Sequence, residues 1–309
     1  MRAGIGTMCV LAGVAWAGAL GCGGEPATEA PADGTPFHIL VTNDDGIESP
    51  GIQELAAALR TVGEVTVVAP CGQQSGTSMS IGLNQEIRLR TYPEAEDAGD
   101  GGTAGLAGQC VDATPAGAVL FAVRALAPES GFDLVVSGIN RGANIGEVSH
   151  MSGTIGAAMM GAYLRIPAVA ASQGGRPGGF EHAAGVVARF VAELRRRGPE
   201  TGIVYSLNFP AATAEETAGI AARPMGGSYF GIDYEETEPE PGEDAEGERR
   251  FRPVFGPPDA IPAGSDTEAH NEGLVTITPL RFDWTDRPMV DVLEGWDLEA
   301  LLGADEDGR

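Results

Sequence analysis

Two adjacent carboxylates, Asp44 and Asp45, stand directly after the apolar run HILVT at 38–42 and are followed by Gly46. Side by side at a strand end, they repel each other unless a proton or a cation intervenes. Oxygen donors of this kind suit a hard divalent cation, magnesium or manganese. Gly46 permits the sharp exit that leaves both at a rim. Asp-Asp-Gly also occurs in ordinary turns, so its weight depends on what else gathers at strand ends. The polar loop 72–78 (GQQSGTS) follows a second apolar run at 65–69. The segment 137–146 (SGINRGANIG) follows a third, and Ser152-Gly153-Thr154 opens a helical stretch. Hydroxyls and free backbone N–H groups at a helix start bind anions well. Carboxylates for a metal and a helix N-terminus for phosphate, brought to one rim, suit metal-assisted phosphoester hydrolysis, in which the cation polarises the phosphoryl oxygen and activates water. His38, His150, His182 and His270 show no ligand spacing. His150, beside the helix start, is the one to test as a proton donor to a leaving oxygen.

These residues need strands and helices to hold them. Apolar runs at 38–42, 65–69, 132–137, 167–171, 203–208 and 274–280 read as strands. Segments 52–62, 116–126, 154–164 and 180–197 read as helices, the second opened by Thr114-Pro115, a cap residue followed by proline. Apolar strands alternating with helices predict an α/β fold with a mostly parallel sheet covered on both faces. Ligands in such sheets sit beyond the carboxyl ends of the strands. Gly138, Gly142 and Gly146 do not match G-x-G-x-x-G, so a dinucleotide fingerprint is absent. The acidic block 233–250 reads as a solvated loop, and Trp284 and Trp296 as packing residues. No internal repeat is visible, nor any H-E-x-x-H, C-x-x-C or G-x-S-x-G.

Composition narrows the chemistry. The chain has 309 residues, 19 basic against 44 acidic, for a net charge of −25, and every basic residue is arginine. Without lysine there is no P-loop GK[ST], no kinase-type lysine and no Schiff-base amine. The acid excess excludes a general nucleic-acid binder, which needs a basic face. A hydrophobic share of 43% fits a globular chain. The first 21 residues pair Arg2 with an uncharged, mostly apolar run and end Ala19-Leu20-Gly21 before Cys22. This pattern resembles a bacterial lipoprotein signal, with Cys22 lipidated and the domain exported to the periplasmic side. A plain signal peptide or an N-terminal membrane anchor shares the first part of it. Residues 22–36 are small, acidic and proline-rich, as in a flexible tether. Cys71 and Cys110 then remain, either as a disulfide or as two separate buried thiols.

The runs ILVTNDDGIESPGIQELAAAL, VTVVAP with its following QSG, LVVSGINRGANIG, SGTIGAAMMGA and GSDTEAHNEGLVTITPL occur in this order and resemble the survival protein SurE family. The resemblance implies a Rossmann-like three-layer fold over 37–285. It also implies a C-terminal extension, carrying the acidic block 233–250, that exchanges between subunits of a homodimer or homotetramer; a C-terminal tail follows at 286–309. It implies a phosphatase that uses one divalent metal ion, magnesium or manganese, to cleave nucleoside 5′- and 3′-monophosphates; some members also trim polyphosphate. The family's metal ligands fall on Asp44, Asp45, Ser75 and Asn140. Asn43, Gly76, Asn144, Ser152, Gly153 and Thr154 match positions lining the phosphate pocket, with Asn43, Asp44 and Asp45 at the catalytic centre and Asp44 the candidate to take a proton from the attacking water. Met151 replaces the family's usual tyrosine, Gly117 its aspartate and Gln74 its common basic residue. Most members are cytoplasmic, whereas this chain carries an export pattern. A broader phosphatase or exopolyphosphatase, and a non-catalytic surface lipoprotein binding nucleotide or metal, are the rival readings.

Overall fold

Pro50 and Pro115 each occupy the first turn of a helix, where the missing N–H is one the helix would leave unpaired in any case. Each helix carries the chain back after a strand of a parallel sheet. A computed structural model describes residues 36–92, 108–175, 179–237, 249–258, 260–298 and 301. The export segment 1–21, Cys22, most of the tether and the centre of the acidic block lie outside them. In chain order the elements are β1 (His38–Thr42), α1 (Pro50–Leu59), β2 (Glu64–Pro70), β3 (Leu89–Tyr92), β4 (Gly108–Val111), α2 (Pro115–Phe121), β5 (Leu134–Arg141), α3 (Gly153–Tyr163) and β6 (Ala168–Gln173). There follow α4 (Glu181–Arg197), β7 (Ile203–Phe209), β8 (Gly219–Ala222), β9 (Gly231–Thr237), β10 (Arg250–Gly256), α5 (Asp266–Asn271), β11 (Leu274–Arg281) and α6 (Arg287–Glu294).

Nine strands form one sheet in the order β3-β4-β2-β1-β5-β6-β7-β11-β8. β4, β2, β1, β5, β6 and β7 run parallel, while β3 and β11 lie antiparallel to β4 and β7. Alternation along the central strands feeds two cores. Ile39, Val41, Leu134 and Val136 pack under α1 and α4, whereas Leu40, Val68, Val135 and Ala170 pack under α2 and α3. This is the three-layer α/β/α arrangement expected, with both sheet faces covered. The small residues of α3 let it lie close to the sheet; a Cβ on Gly161 would sit 2.9 Å from the Val135 side chain. From β1 the chain winds outward to β2 and β4, then returns to place β5 on the other side of β1. The carboxyl ends of β1 and β5 therefore flank the switch point where α/β sheets bind ligands.

Three expectations change. The acidic block is not simply a loop: Asp233–Thr237 and Arg250 belong to the antiparallel β9–β10 hairpin, held across the strands by Arg249–Glu236 at 2.8 Å and Arg252–Glu235 at 3.2 Å. Opposite charges facing one another in a ladder make acidic residues compatible with strand. Trp284 and Trp296 are surface residues rather than core, 72% and 59% exposed, although Trp284 makes an edge-on contact with His150. The helix expected over 116–126 is α2 continued by a π-helical turn at Ala122–Leu126. Of the two options for the cysteines, the structure shows a Cys71–Cys110 disulfide, linking the end of β2 to neighbouring β4.

Candidate active site

β1 ends in a buried polar step: Thr42 and Asn43 are fully buried and Asp44 is 3% exposed. Asn43 shapes the exit, its amide donating to the Gly46 carbonyl at 2.9 Å and to Ser49 Oγ at 2.7 Å. Gly46, at φ +95°, completes the turn, and a Cβ there would press on the Gly72 backbone at 3.2 Å. Asn43 thus acts on the turn that presents the two aspartates.

Asp44 Oδ1 accepts a 2.6 Å hydrogen bond from Thr154 Oγ1 in the first turn of α3. Burial raises the Asp44 carboxyl to about 6, against the Thr154 hydrogen bond that lowers it and with the Asp45 charge adding to the rise. Asp45 is raised too, again chiefly by burial, while the Arg141 N–H (3.0 Å to Oδ2) and the Arg141 charge pull the other way. Two half-compensated carboxylates at one strand end are what a bound cation would relieve. Among the described residues no cluster of three or more His, Cys, Asp or Glu side chains could hold a metal. Any site here draws on these two carboxylates together with amide and hydroxyl oxygens, a donor set suited to magnesium or manganese.

The other expected residues come from three further strand ends or helix starts. Loop 72–78 is fastened to β1's exit, the Gln74 N–H donating to the Asp44 carbonyl at 2.7 Å. Exposed Ser75 accepts from Gln73 Nε2 at 3.3 Å, and Gly76 takes φ +73° with open space around it. Asn140, at the end of β5, donates its amide to the Gly142 carbonyl at 2.9 Å, so its Oδ1 is the atom suited to a cation. Gly153 is pressed against Asp44: a Cβ would lie 2.9 Å from Asp44 Cβ and 3.0 Å from Oδ2. Ser152 caps α3 through its Oγ, which accepts from the Ile155 N–H at 3.2 Å. Asp44 also lines no wall of the open cleft of about 350 Å³ beside it, which is bounded by Asp45, Glu48, Gln73, Arg141 and Phe180.

Asn144 and His150 each have partners that the sequence alone does not show. Asn144 is buried, and its amide donates to Ser172 Oγ at 2.9 Å, while its N–H donates to Asn208 Oδ1 at 2.7 Å. These contacts tie the loop at Asn144 to the sheet. His150 packs edge-on to Trp284, at the wall of an apolar cavity of about 250 Å³ that none of the expected site residues lines. Asp266, within the motif GSDTEAH, has a role that its sequence neighbours do not signal, since its partners lie far off in the chain. It is 1% exposed, yet Gly146 and Gly226 N–H groups both donate to it at 3.0 Å. The departures at 151, 74 and 117 differ in place. Met151 is 45% exposed beside Ser152, Gln74 bonds the Asp44 carbonyl through its N–H, and Gly117 packs on the Thr114 cap.

Comparison with known proteins bears on this constellation. The family model described as "Survival protein SurE" matches residues 39–231. The chain is 38% identical over 263 residues to a 5′/3′-nucleotidase SurE of Cronobacter sakazakii, covering 84% of this chain and 96% of the relative. It is 36% identical over 272 residues to a 5′/3′-nucleotidase SurE of Serratia proteamaculans, covering 87% and 100%. The crystal structure of the SurE protein from Aquifex aeolicus superposes with a TM-score of 0.68 at 30% identity, covering 83% of this chain and 99% of that one. With matching sequence, matching fold and the aspartate pair at the switch point, this chain belongs to the survival protein SurE family.

Proposed function

We propose that the protein is a divalent-metal-dependent 5′/3′-nucleotidase that hydrolyses nucleoside monophosphates to nucleoside and inorganic phosphate. The observation that carries this is the convergence of Asp44 with the start of α3, through the 2.6 Å Thr154 bond and the close approach of Gly153. It sets a metal-binding carboxylate against a helix N-terminus, the natural seat of a phosphate. The relatives' printed activities point the same way. Asp44, Asp45, Ser75 and Asn140 would hold magnesium or manganese. The ion, when bound, would supply Lewis-acid polarisation of the phosphoryl oxygen and a more acidic water. Gly76, Ser152 and Gly153 offer backbone N–H and hydroxyl donors to the phosphate oxygens as charge shifts onto them, while Thr154, whose hydroxyl donates to Asp44 Oδ1, joins that pocket to the carboxylate. Asp44 Oδ2, the carboxyl oxygen that does not accept the Thr154 hydroxyl, is the atom to accept the proton of the attacking water.

The same reading extends to place and assembly. Arg2, the uncharged stretch up to Gly21 and Cys22 support export with a lipid on Cys22, and a disulfide suits an oxidising compartment. Exposed Ile232, Tyr234, Phe251 and Phe255 on the hairpin, and Met289 and Val292 on α6, support a homodimer or homotetramer. The function is tested by phosphate release from a panel of 5′- and 3′-mononucleotides, a sugar phosphate and polyphosphate, with magnesium, manganese or chelator. Mononucleotides should be cleaved fastest, and chelator should abolish the reaction. Faster cleavage of polyphosphate, or unchanged rates in chelator, would overturn the assignment. Lipidation is tested by the mass of the mature N-terminus: an unmodified or uncleaved end would refute it.

A further inference from the structure

Loop 142–146 continues the strand that carries Asn140, and it is tied down at alternate residues. The Gly142 N–H donates to the Gln173 carbonyl at 2.7 Å, at the end of β6. The Asn144 N–H donates to Asn208 Oδ1 at 2.7 Å, on β7. The Gly146 N–H donates to Asp266 Oδ2 at 3.0 Å, at the start of α5. Glu147 follows, its N–H donating to the Gly227 carbonyl at 2.7 Å. Asp266 is the one anionic anchor in this series. Its Oδ1 accepts from the Gly226 N–H at 3.0 Å and the Thr267 N–H at 2.8 Å, and the Thr278 hydroxyl stands 3.4 Å from Oδ2. Both carboxylate oxygens are thus occupied, and the group is buried. Charge-assisted bonds of this kind are about twice as strong as neutral ones. Gly146 takes φ +57°, and a Cβ there would collide with the Gly227 carbonyl, so loop and clamp meet backbone to backbone.

We propose that Asp266 is a positioning residue for the metal site: it clamps the far end of the loop that begins at Asn140 and Arg141, and through it sets the Asn140 amide and the Arg141 N–H that holds Asp45. The inference rests on the metal reading given above. Asp266 touches neither metal nor substrate in this role. It joins α5 and the segment before β9 to a loop lying 120 residues earlier in the chain. Mutating an outer-shell partner of a metal ligand commonly weakens metal binding by about 10–100-fold.

The test measures manganese affinity directly, by electron paramagnetic resonance of free ion titrated into purified full-length protein. Asp266→Asn keeps the size but turns one acceptor oxygen into an NH2 donor, so the side chain can no longer receive the Gly146 N–H on one side and the Gly226 and Thr267 N–H groups on the other, and the charge is lost. It should weaken manganese binding about tenfold, with kcat recovering at high manganese and KM for the mononucleotide within twofold of wild type. Thr278→Val, in the same buried cluster, lowers stability without touching Gly146 and should leave manganese affinity unchanged. A folded Asp266→Asn variant with wild-type affinity would overturn the proposal, as would an equal loss in Thr278→Val. Should Asp266→Asn fail to fold, amide exchange in the wild type decides. Gly146 and Asn144 protected as well as Val135 supports the clamp, and rapid exchange at Gly146 refutes it. A wild type that binds no manganese would instead sink the metal reading of the site, while the exchange result would still judge the clamp.

Discussion

Asp44 is asked to stay charged in a place that disfavours charge. Its carboxyl, ordinarily near 3.8, is raised to about 6, chiefly by burial. In the metal-free protein, the native state therefore holds a proton between those values that the unfolded chain has already lost. Stability falls as pH rises through that window, by about 3 kcal/mol once pH 7 is reached. Thermal midpoints in chelator should accordingly drop between pH 4 and pH 7, and Asp44→Asn should flatten that slope. Manganese added at pH 7 should lift the wild-type midpoint and leave Asp44→Asn nearly unmoved, because binding stabilises only a state that can bind. A flat wild-type profile in chelator would contradict the burial argument. In catalysis, Asp44→Asn removes a metal ligand together with the base, so phosphate release from AMP at a fixed manganese concentration should fall by at least roughly 10³-fold, the range for losing a positioned base alone.

At the scale of elements, the central strands and helices were legible because burial on two faces leaves continuous apolar runs such as Leu134–Val136. The candidate site was legible for a related reason, since polar residues crowd the ends of those runs. Asp44, Asp45, Ser75, Asn140 and Thr154 all lie at strand ends, loops or helix starts around the switch point. What stayed hidden depends on partners distant in sequence. β3, with only four residues and an exposed face, is a strand because it pairs with β4. β9 and β10 hold acidic residues in strand through cross-strand arginines. The side chain of Asn144 could not be aimed without knowing that Ser172 and Asn208 lie beside it. Gly153 shows the same dependence with a sharper consequence. A methyl group there would meet Asp44 and the Gln74 carbonyl, the latter at 3.1 Å. Gly153→Ala should cost about 1–3 kcal/mol in stability by overpacking. Its larger effect should be on phosphate release, because α3 and Asp44 must separate to admit the methyl. Near-wild-type kcat in Gly153→Ala would show that this contact is slack.

Across the whole molecule, the net charge of −25 repels a dianionic substrate. A bound divalent ion offsets Asp44 and Asp45 locally, and without lysine the phosphate is left to backbone N–H groups, hydroxyls and arginine. In the proposed oligomer, removing residues 286–309 should shift the mass to smaller species in light scattering; an unchanged mass would exclude α6 from the contacts. The Cys71–Cys110 bond reaches the pocket directly, because the loop bearing Ser75 starts one residue after Cys71. Opening this cross-link, which spans 39 positions in sequence, should cost roughly 3–4 kcal/mol by loop entropy. Differential scanning calorimetry with and without dithiothreitol would register it as a lowered midpoint. Handling follows from this: thiol reductants added routinely during purification would strip a fastening from the edge of the pocket, and protein made in a reducing cytosol would never acquire it. Specific activity would then vary with the oxidation history of the preparation as well as with its purity.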